Sequence, residues 1–290
     1  MRRGILAIVG LLILSVALFG CGANQIVSPD PVPLDDSSLP IVYNNMGNVF
    51  AIANESGNRL ITFTPISDVS VIAAEGINTA IGSGGQYLSL EFVKKQNKTG
   101  QDTGRVIASN FDNMEGYIYN ILAQKAVPNQ TYYVGKKETI PEKSLLISSL
   151  AAPIALNTNE MKAVSDAKGR IVQEGWILAD YGDGTGLEIA VFKPQGKNYL
   201  MSILLRTKEG GMKFMDYAAV SDGASVWRVD DGGKIDPALF SIRLAARTDK
   251  GFLAVISWAG AEGENTFFLL EQPNALQEQP ATAYRYWSPA

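Results

Sequence analysis

The chain has 290 residues, 25 basic and 29 acidic side chains, a formal charge of −4 at pH 7, one cysteine and no histidine. This acidic balance argues against nucleic acid as a partner, because nucleic-acid binding requires clustered lysine and arginine. The lack of histidine excludes Ser-His-Asp and Cys-His catalytic sites and zinc sites built on histidine. We therefore predict no cofactor and no metal site, and any catalysis would have to use carboxylate, lysine, tyrosine or Ser-Lys chemistry.

The first twenty residues have the pattern of a secretory signal. Arg2 and Arg3 precede an uncharged apolar run at 4–19. This run is shorter than the ~20 residues that a membrane-spanning helix needs. A positive start, a short apolar run and a small residue at its end are typical of a signal peptide, which we predict at residues 1–20. The alternative is an uncleaved membrane anchor with an incidental cysteine.

The segment Leu18-Phe19-Gly20-Cys21 ends this run and resembles the lipobox of bacterial lipoproteins. The resemblance implies cleavage between Gly20 and Cys21 and a diacylglycerol thioether on the Cys21 sulfur. Such an anchor is stable, because two acyl chains hold a protein on a bilayer where one does not. It would place the protein outside the cytoplasm, on the outer face of the cell membrane, or on the outer membrane of a cell with two membranes.

Residues 21–40 are predicted to be the lipidated cysteine and a flexible tether. The stretch 22–40 is rich in proline and polar residues and shows little apolar periodicity. As a flexible coil it would span about 25 Å, and more if the prolines keep it extended. We expect this tether to hold the folded part clear of the lipid headgroups.

The stretch 87–95 carries the clearest strand pattern of the chain. Leu88, Leu90 and Phe92 alternate with polar residues and therefore fall on one face. This period of two is typical of a strand with one buried side.

The stretch 241–247 repeats the pattern near the other end of the chain. Ile242, Leu244 and Ala246 alternate with polar or small residues, and Arg243 falls on the opposite face. We predict a second half-buried strand here, with Arg243 turned away from the core.

Similar short runs continue along the chain, separated by turns rich in glycine, asparagine and aspartate. This spacing predicts a mainly β fold, an antiparallel meander that forms a sandwich, a barrel or a propeller-like sheet. The strands form either one continuous sheet or two β units, at 41–150 and 170–290, joined by a connection at 151–169.

One short helix is predicted in that connection. Asn157 can cap its first turn, and Glu160 stands three residues later, as a capping box requires. Met161 and Val164 share one face, and Gly169 is expected to end the helix.

Two motifs together suggest penicillin-recognising serine enzymes, namely S-x-x-K at 165–168 and K-T-G at 98–100. That family places K-T-G after S-x-x-K, whereas here it comes first, so we interpret the two motifs as a helix end and a loop.

The glycine-rich stretches 82–85 and 182–186 could suggest phosphate cradles. A dinucleotide site needs a strand, glycines and then a helix, but 182–186 lies between two strand-like runs and is predicted to be a hairpin turn.

Acidic residues cluster near two predicted turns, at Asp180, Asp183 and Glu188 and again at 230–236. Oxygen-rich turns can hold calcium, but neither cluster has the spacing that places successive ligands on one loop. We interpret them as ordinary Asp-Gly turns, with calcium as the alternative.

All four tryptophans lie in the second half of the chain, at Trp176, Trp227, Trp258 and Trp287. Flat aromatic rings beside carboxylates can hold sugars, so these four residues are our candidate ligand site. The alternative is that they pack in the core, which is the more common use of tryptophan.

These signals predict a cell-envelope lipoprotein that acts as a non-enzymatic binding or scaffolding module. Its partners would be the membrane, through the lipid on Cys21, and an envelope protein or glycan. The alternative is a carboxylate-dependent hydrolase of envelope glycan, which needs two carboxyl groups about 5–10 Å apart in a cleft. Only the aspartates near Trp176 and Trp227 are candidates for that pair.

Overall fold

The computed structural model describes residues 40–65, 68–221 and 234–287. All of them belong to one compact unit that spans Asp36–Ala290. The strands pair antiparallel, which confirms the predicted mainly β class with few helices. None of the helices within these described ranges is both long and apolar enough to cross a bilayer.

Six strands close into a barrel, in the order β1-β2-β5-β4-β3-β6. Their bounds are β1 Val49–Ala53, β2 Arg59–Thr62, β3 Thr79–Gly82, β4 Gln86–Gln96, β5 Gly116–Leu122 and β6 Thr131–Gly135. A short helix, α1 Val71–Glu75, lies between β2 and β3.

Five further strands form an open sheet in the order β11-β10-β9-β8-β7. Their bounds are β7 Ile154–Ala155, β8 Val172–Asp180, β9 Gly186–Gln195, β10 Asn198–Arg206 and β11 Met212–Val220. The longer helix, α2 Thr158–Lys168, connects β7 and β8.

Four strands form the last sheet, a meander in the order β12-β13-β14-β15. Their bounds are β12 Phe240–Thr248, β13 Gly251–Ala259, β14 Gly263–Glu271 and β15 Leu276–Tyr286.

The division of the chain into units at 41–150, 151–169 and 170–290 stays a prediction.

The four-stranded sheet lies between the barrel and the five-stranded sheet, and its inner strands are covered on both faces. On β13, Ala254 and Ile256 pack in the core shared with the five-stranded sheet. Leu253 and Val255 point the other way and pack in a core shared with the barrel. Because successive side chains of a strand point to opposite faces, a strand between two cores must be apolar along its whole length.

The barrel interior is filled by side chains, as expected for a small barrel. Tyr117 and Tyr119 lie there among alanine, valine and leucine residues. Each phenol is satisfied, because Tyr117 donates to the carbonyl of Val69 and Tyr119 to that of Ala74, both at 2.9 Å. The interior is therefore a packed core.

The predicted face of β4 is confirmed. Leu88 and Leu90 are buried in the barrel interior, and Phe92 packs against the same core. Ser89 and Glu91 on the opposite face are exposed. A strand on the barrel wall with one side in water keeps the simple alternation that its sequence shows.

The predicted face of β12 is wrong. The pairing register with β13 shifts between Ile242 and Leu244, which places a bulge at Arg243. Ile242 packs toward the five-stranded sheet, whereas Leu244 and Ala246 pack toward the barrel. Arg243 is only 3% exposed. One reason is that a bulge re-aims the side chains that follow it. The other is that β12 has a core on each side around Arg243.

The predicted helix is confirmed together with its caps. The side chain of Asn157 accepts from the backbone of Glu160, and the Glu160 carboxylate accepts from the Asn157 N–H, 2.7 Å away. Gly169 ends the helix in the left-handed conformation, and Val164 is buried against β8–β10. The helix thus covers the outer face of the five-stranded sheet.

We expect Asn157→Ala to lower the free energy of unfolding by about 1 kcal/mol, because two backbone N–H groups lose their acceptor. Urea denaturation of both proteins measures the difference. Asn159→Ala is the matched control, since Asn159 is exposed and its side chain makes no cap. Equal losses in the two variants would contradict this role of the capping box.

Candidate functional site

The segment 145–153 joins the edges of the two open sheets. The Leu146 N–H donates to the carbonyl of Ala245 on β12, and the Ser149 N–H donates to that of Asp180 on β8, both at 2.8 Å. Backbone groups at the edges of both sheets are thereby paired, which protects these edges from pairing with another chain. The segment therefore closes the side of the two-sheet sandwich.

A cavity of about 190 Å³ lies beneath this segment. It is bounded by the barrel turn Ser83–Gly85, by residues of the segment 145–153, by Tyr181 beyond β8, and by Phe240 and Ala245 of β12. We name it the inter-layer cavity, because the barrel and both sheets contribute to its wall.

The wall combines apolar and polar residues. Leu150, Leu178 and Phe240 line it together with Ser148 and Ser241. A concave wall in which apolar residues surround a few polar ones is typical of a ligand site.

Tyr181 is the most unusual group of this wall. Its phenol oxygen is buried and has no hydrogen-bond partner among the described residues. Its ring packs on Phe252, with 5.7 Å between ring centroids, and burial raises the pKa of the Tyr181 hydroxyl. Leaving a buried polar group unpaired costs about 1–3 kcal/mol.

The glycine-rich turn at 82–85 forms one side of the cavity. Gly84 and Gly85 have φ angles of 70° and 80°, in the left-handed region that favours glycine. A Cβ added to Gly85 would clash with the side chain of Ile147. The turn joins strands β3 and β4, so the strand–glycine–helix arrangement of a dinucleotide site is not present there.

The predicted hairpin turn at 182–186 is confirmed, because it joins the paired strands β8 and β9. Asp180 and Asp183 each accept a hydrogen bond from a backbone N–H two residues later in the turn, at 2.9 Å. These are the local bonds of ordinary Asp-Gly turns.

A buried charge cluster lies behind Ser83, between the barrel and the central sheet. Arg243 donates from Nη1 to the Ser83 hydroxyl at 2.9 Å, from Nε to the Ser257 hydroxyl at 2.8 Å, and from Nη2 to Glu264 at 2.8 Å. The second carboxylate oxygen of Glu264 has no partner among the described residues. Arg243 thus ties the cavity turn to the central sheet.

Arg285 completes this charge cluster. It lies opposite Glu264 on the neighbouring strand, donates to the carbonyl of Val106 at 2.7 Å and also binds the side chain of Asn129. Desolvation lowers the pKa of Arg285 to about 10, although the nearby Glu264 opposes the shift. Arg243 forms the ion pair with Glu264, and Arg285 feels the same carboxylate only through its charge. One carboxylate therefore faces two guanidinium groups, and the cluster of Arg243, Glu264 and Arg285 carries a net positive charge.

Sequence reasoning did not identify this cluster or Tyr181. The alternation around Arg243 predicted a solvent-facing side chain, and Tyr181 directly follows a strand-like run without any distinguishing pattern. The apolar stretch 145–152 was the only sequence signal for the cavity wall. It did not predict the cavity, because the other residues of the wall are distant in sequence.

The described tryptophans lie outside the lining of the inter-layer cavity. Trp258 is buried in the core between the two sheets and stacks on Phe240 with 4.6 Å between centroids. Trp176 packs against the same core, and Trp287 lies beside Arg285, 5.2 Å from its guanidinium carbon. Trp227, like Gly20 and Cys21, falls outside the described residues.

The carboxylates near Trp176 are bound to arginine side chains. Glu188 lies 2.8 Å and Asp180 3.8 Å from nitrogen atoms of Arg206. Asp183 instead binds Arg247 at 2.8 Å. Across the part of the chain that the structure describes, no cluster of three carboxylate or cysteine side chains could hold a metal ion.

The S-x-x-K motif has a structural role. Ser165 donates to the carbonyl of Met161 at 2.7 Å and accepts from the Val172 N–H at 2.9 Å. Lys168 binds both carboxylate oxygens of Asp216, at 2.7 and 2.6 Å. These bonds dock the end of helix α2 on the five-stranded sheet.

No family model, no curated protein and no solved structure matches this chain. The geometry described above and the N-terminal motif are therefore the observations from which a function can be inferred.

We expect Glu264→Gln to lower the free energy of unfolding by about 3–5 kcal/mol, because it leaves the buried Arg243 and Arg285 without a counter-charge. Chemical denaturation measures the loss. Glu262→Gln is the control, since that side chain is exposed two residues earlier, and it should change stability by less than about 0.5 kcal/mol. Similar values for both variants would contradict the role of the charge cluster.

A second prediction concerns acid stability. Hydrogen bonds from Thr185, together with Arg247, lower the pKa of Asp183 to about 2. An unfolded aspartate titrates near pH 3.9, so the stability that Asp183 contributes is present above about pH 4 and is lost as the pH falls toward 2. Asp183→Asn should therefore differ from wild type above pH 4 and converge with it below. A constant difference in unfolding free energy across this window would contradict the assignment.

Proposed function

We propose that the chain is a cell-envelope lipoprotein whose β body is a non-enzymatic binding module outside the cytoplasm. The observation that carries this proposal is the segment Leu18-Phe19-Gly20-Cys21 behind a short apolar run. The lipid on Cys21 is the membrane contact, on the outer face of the cell membrane or on the outer membrane of a cell with two membranes.

The way the chain enters the folded body supports this arrangement. Ile41 is buried, pairs with Thr248, and accepts from the Asp249 N–H at 2.9 Å. The Asp249 carboxylate in turn accepts from the Tyr43 N–H at 2.8 Å. A force on the predicted tether would therefore be transmitted to the turn between β12 and β13.

The binding role is supported by the inter-layer cavity, which the barrel turn, the segment 145–153 and β12 line together. Its volume of about 190 Å³ lies below the ~300–1,000 Å³ of sites for drug-sized ligands. A small molecule, or one group of a larger envelope partner, is the expected occupant.

The hydrolase alternative receives no support from the described carboxylates beside Trp176. A glycan hydrolase needs one carboxyl group to give a proton and a second to act as base or nucleophile. Asp180 and Glu188 both lie against Arg206, and Glu188 is only 3% exposed, so its carboxylate does not face a cleft that a glycan could enter. We therefore put forward the binding module alone.

Replacement of Cys21 by serine tests the anchor. We expect wild type to incorporate radiolabelled palmitate and to partition into the detergent phase, and Cys21→Ser to lose the label and remain unprocessed. Serine lacks the sulfur that forms the thioether, whereas Ser28→Ala, in the predicted tether, is a control that should leave labelling unchanged. Equal labelling and processing of the Cys21→Ser variant would refute the lipoprotein proposal.

A further inference from the structure

We propose that one end of the five-stranded sheet contacts the surface of a bilayer that contains anionic phospholipid. This contact goes beyond the proposed lipid on Cys21, because the side chains that make it belong to the folded body. We name this end the basic tip and define it by three described runs, 169–173, 193–198 and 217–221. They hold the start of β8, the turn between β9 and β10, and the end of β11.

Backbone hydrogen bonds hold the three runs of the basic tip together. The Lys193 N–H donates to the carbonyl of Ile171 at 2.9 Å, which joins the first run to the second. The Ser221 N–H donates to the carbonyl of Lys197 at 3.0 Å, which joins the second run to the third. The side chains of the three runs therefore lie on one end of one sheet, although up to 50 positions separate them in sequence.

The basic tip carries three cations, and no acidic residue occurs in its three runs. Lys193 and Lys197 are exposed. The guanidinium of Arg170 donates to the carbonyls of Lys193 and Asn198, so neutral groups hold it and its charge is not cancelled. With Asp222, the next residue along the sequence, the balance is three cations to one carboxylate.

This positive charge is local, because the whole chain carries −4. Charges in water are screened beyond about 10 Å at 0.1 M salt, so a bilayer that touches the basic tip interacts mainly with the charges of the tip. Asp216, the acidic residue of β11, does not offset them, since Lys168 binds both of its carboxylate oxygens.

The two most exposed aliphatic side chains among the described residues also lie on the basic tip. Val220 is 77% exposed and Ile171 is 61% exposed. Apolar side chains beside lysine suit the interface of a bilayer, where the apolar groups enter between the headgroups and the ammonium groups stay in water near the phosphates. A soluble polyanion would pair with the lysines but would gain nothing from the aliphatic groups, so the combination favours a bilayer.

Cosedimentation of residues 22–290 with lipid vesicles tests the proposal. This chain carries no lipid and contains the whole compact unit, 36–290, and therefore keeps every described contact. The probes are vesicles of phosphatidylcholine alone and vesicles of phosphatidylcholine and phosphatidylglycerol in equal parts. We expect binding to the mixed vesicles at low salt, loss of that binding at high salt, and no binding to phosphatidylcholine alone.

A charge-matched pair of double variants makes the test specific. Lys193→Gln combined with Lys197→Gln should lower the partition coefficient on mixed vesicles more than about tenfold, because each lysine near an anionic surface contributes about fivefold. Lys94→Gln combined with Lys95→Gln is the control. Both of these lysines are exposed on β4 of the barrel, so the control removes the same charge and should leave partitioning within about twofold of wild type.

Val220→Ser separates a bilayer from a soluble polyanion. It should weaken partitioning about threefold, because an apolar group no longer enters the interface. The melting temperature should stay unchanged, since the side chain is exposed. Unchanged partitioning of Val220→Ser would overturn the bilayer assignment in favour of a soluble polyanion.

Absence of binding to the mixed vesicles, equal binding to phosphatidylcholine alone, or equal losses in the two double variants would each overturn the proposed contact. These outcomes are independent of the anchor. If Cys21→Ser loses its palmitate label while residues 22–290 fail to bind the vesicles, the lipoprotein proposal stands and only the basic tip is refuted.

Discussion

The two middle strands of the four-stranded sheet, β13 and β14, are buried on both faces, and the layers on either side are positioned by them. The barrel packs on one face and the five-stranded sheet on the other, so a polar side chain on these strands must find a hydrogen-bond partner inside the protein. This explains why β13 is apolar apart from Ser257, and why the buried charges at Arg243 and Glu264 occur as a pair. The barrel and the five-stranded sheet are both positioned by this one layer.

The buried charge cluster determines how the barrel sits on the central sheet. Apolar contacts are non-directional, so the core around Phe50 and Phe268 alone would tolerate small shifts of one layer against the other. Arg243 and Arg285 bind defined oxygens of Ser83, Val106 and Asn129 on the barrel side, and a shift would leave these groups unpaired. Burying these charges costs desolvation free energy, and their directional hydrogen bonds fix the position of the barrel on the central sheet.

The same arrangement creates the candidate site. The sandwich edge is closed by the irregular segment 145–153, whose backbone bonds to both sheets. The space beneath it is reached by groups from the barrel turn, from β12 and from Tyr181. If Cys21 carries the lipid anchor as proposed, the fastening of Ile41 to the β12–β13 turn makes the central sheet both the framework of this cavity and the attachment of the tether.

Elements with a local cause could be predicted from the sequence. The alternation of β4, the capping box at Asn157 and the hairpin turn at 182–186 each depend on residues fewer than ten positions apart. The burial of Arg243, the unpaired hydroxyl of Tyr181 and the inter-layer cavity instead follow from contacts between distant parts of the chain. Arg243 meets Ser83 across 160 positions, and Arg285 meets Val106 across 179. The period of a sequence shows how the side chains of one strand alternate. It does not show a bulge in the pairing with a neighbouring strand, or a second layer that covers the other face.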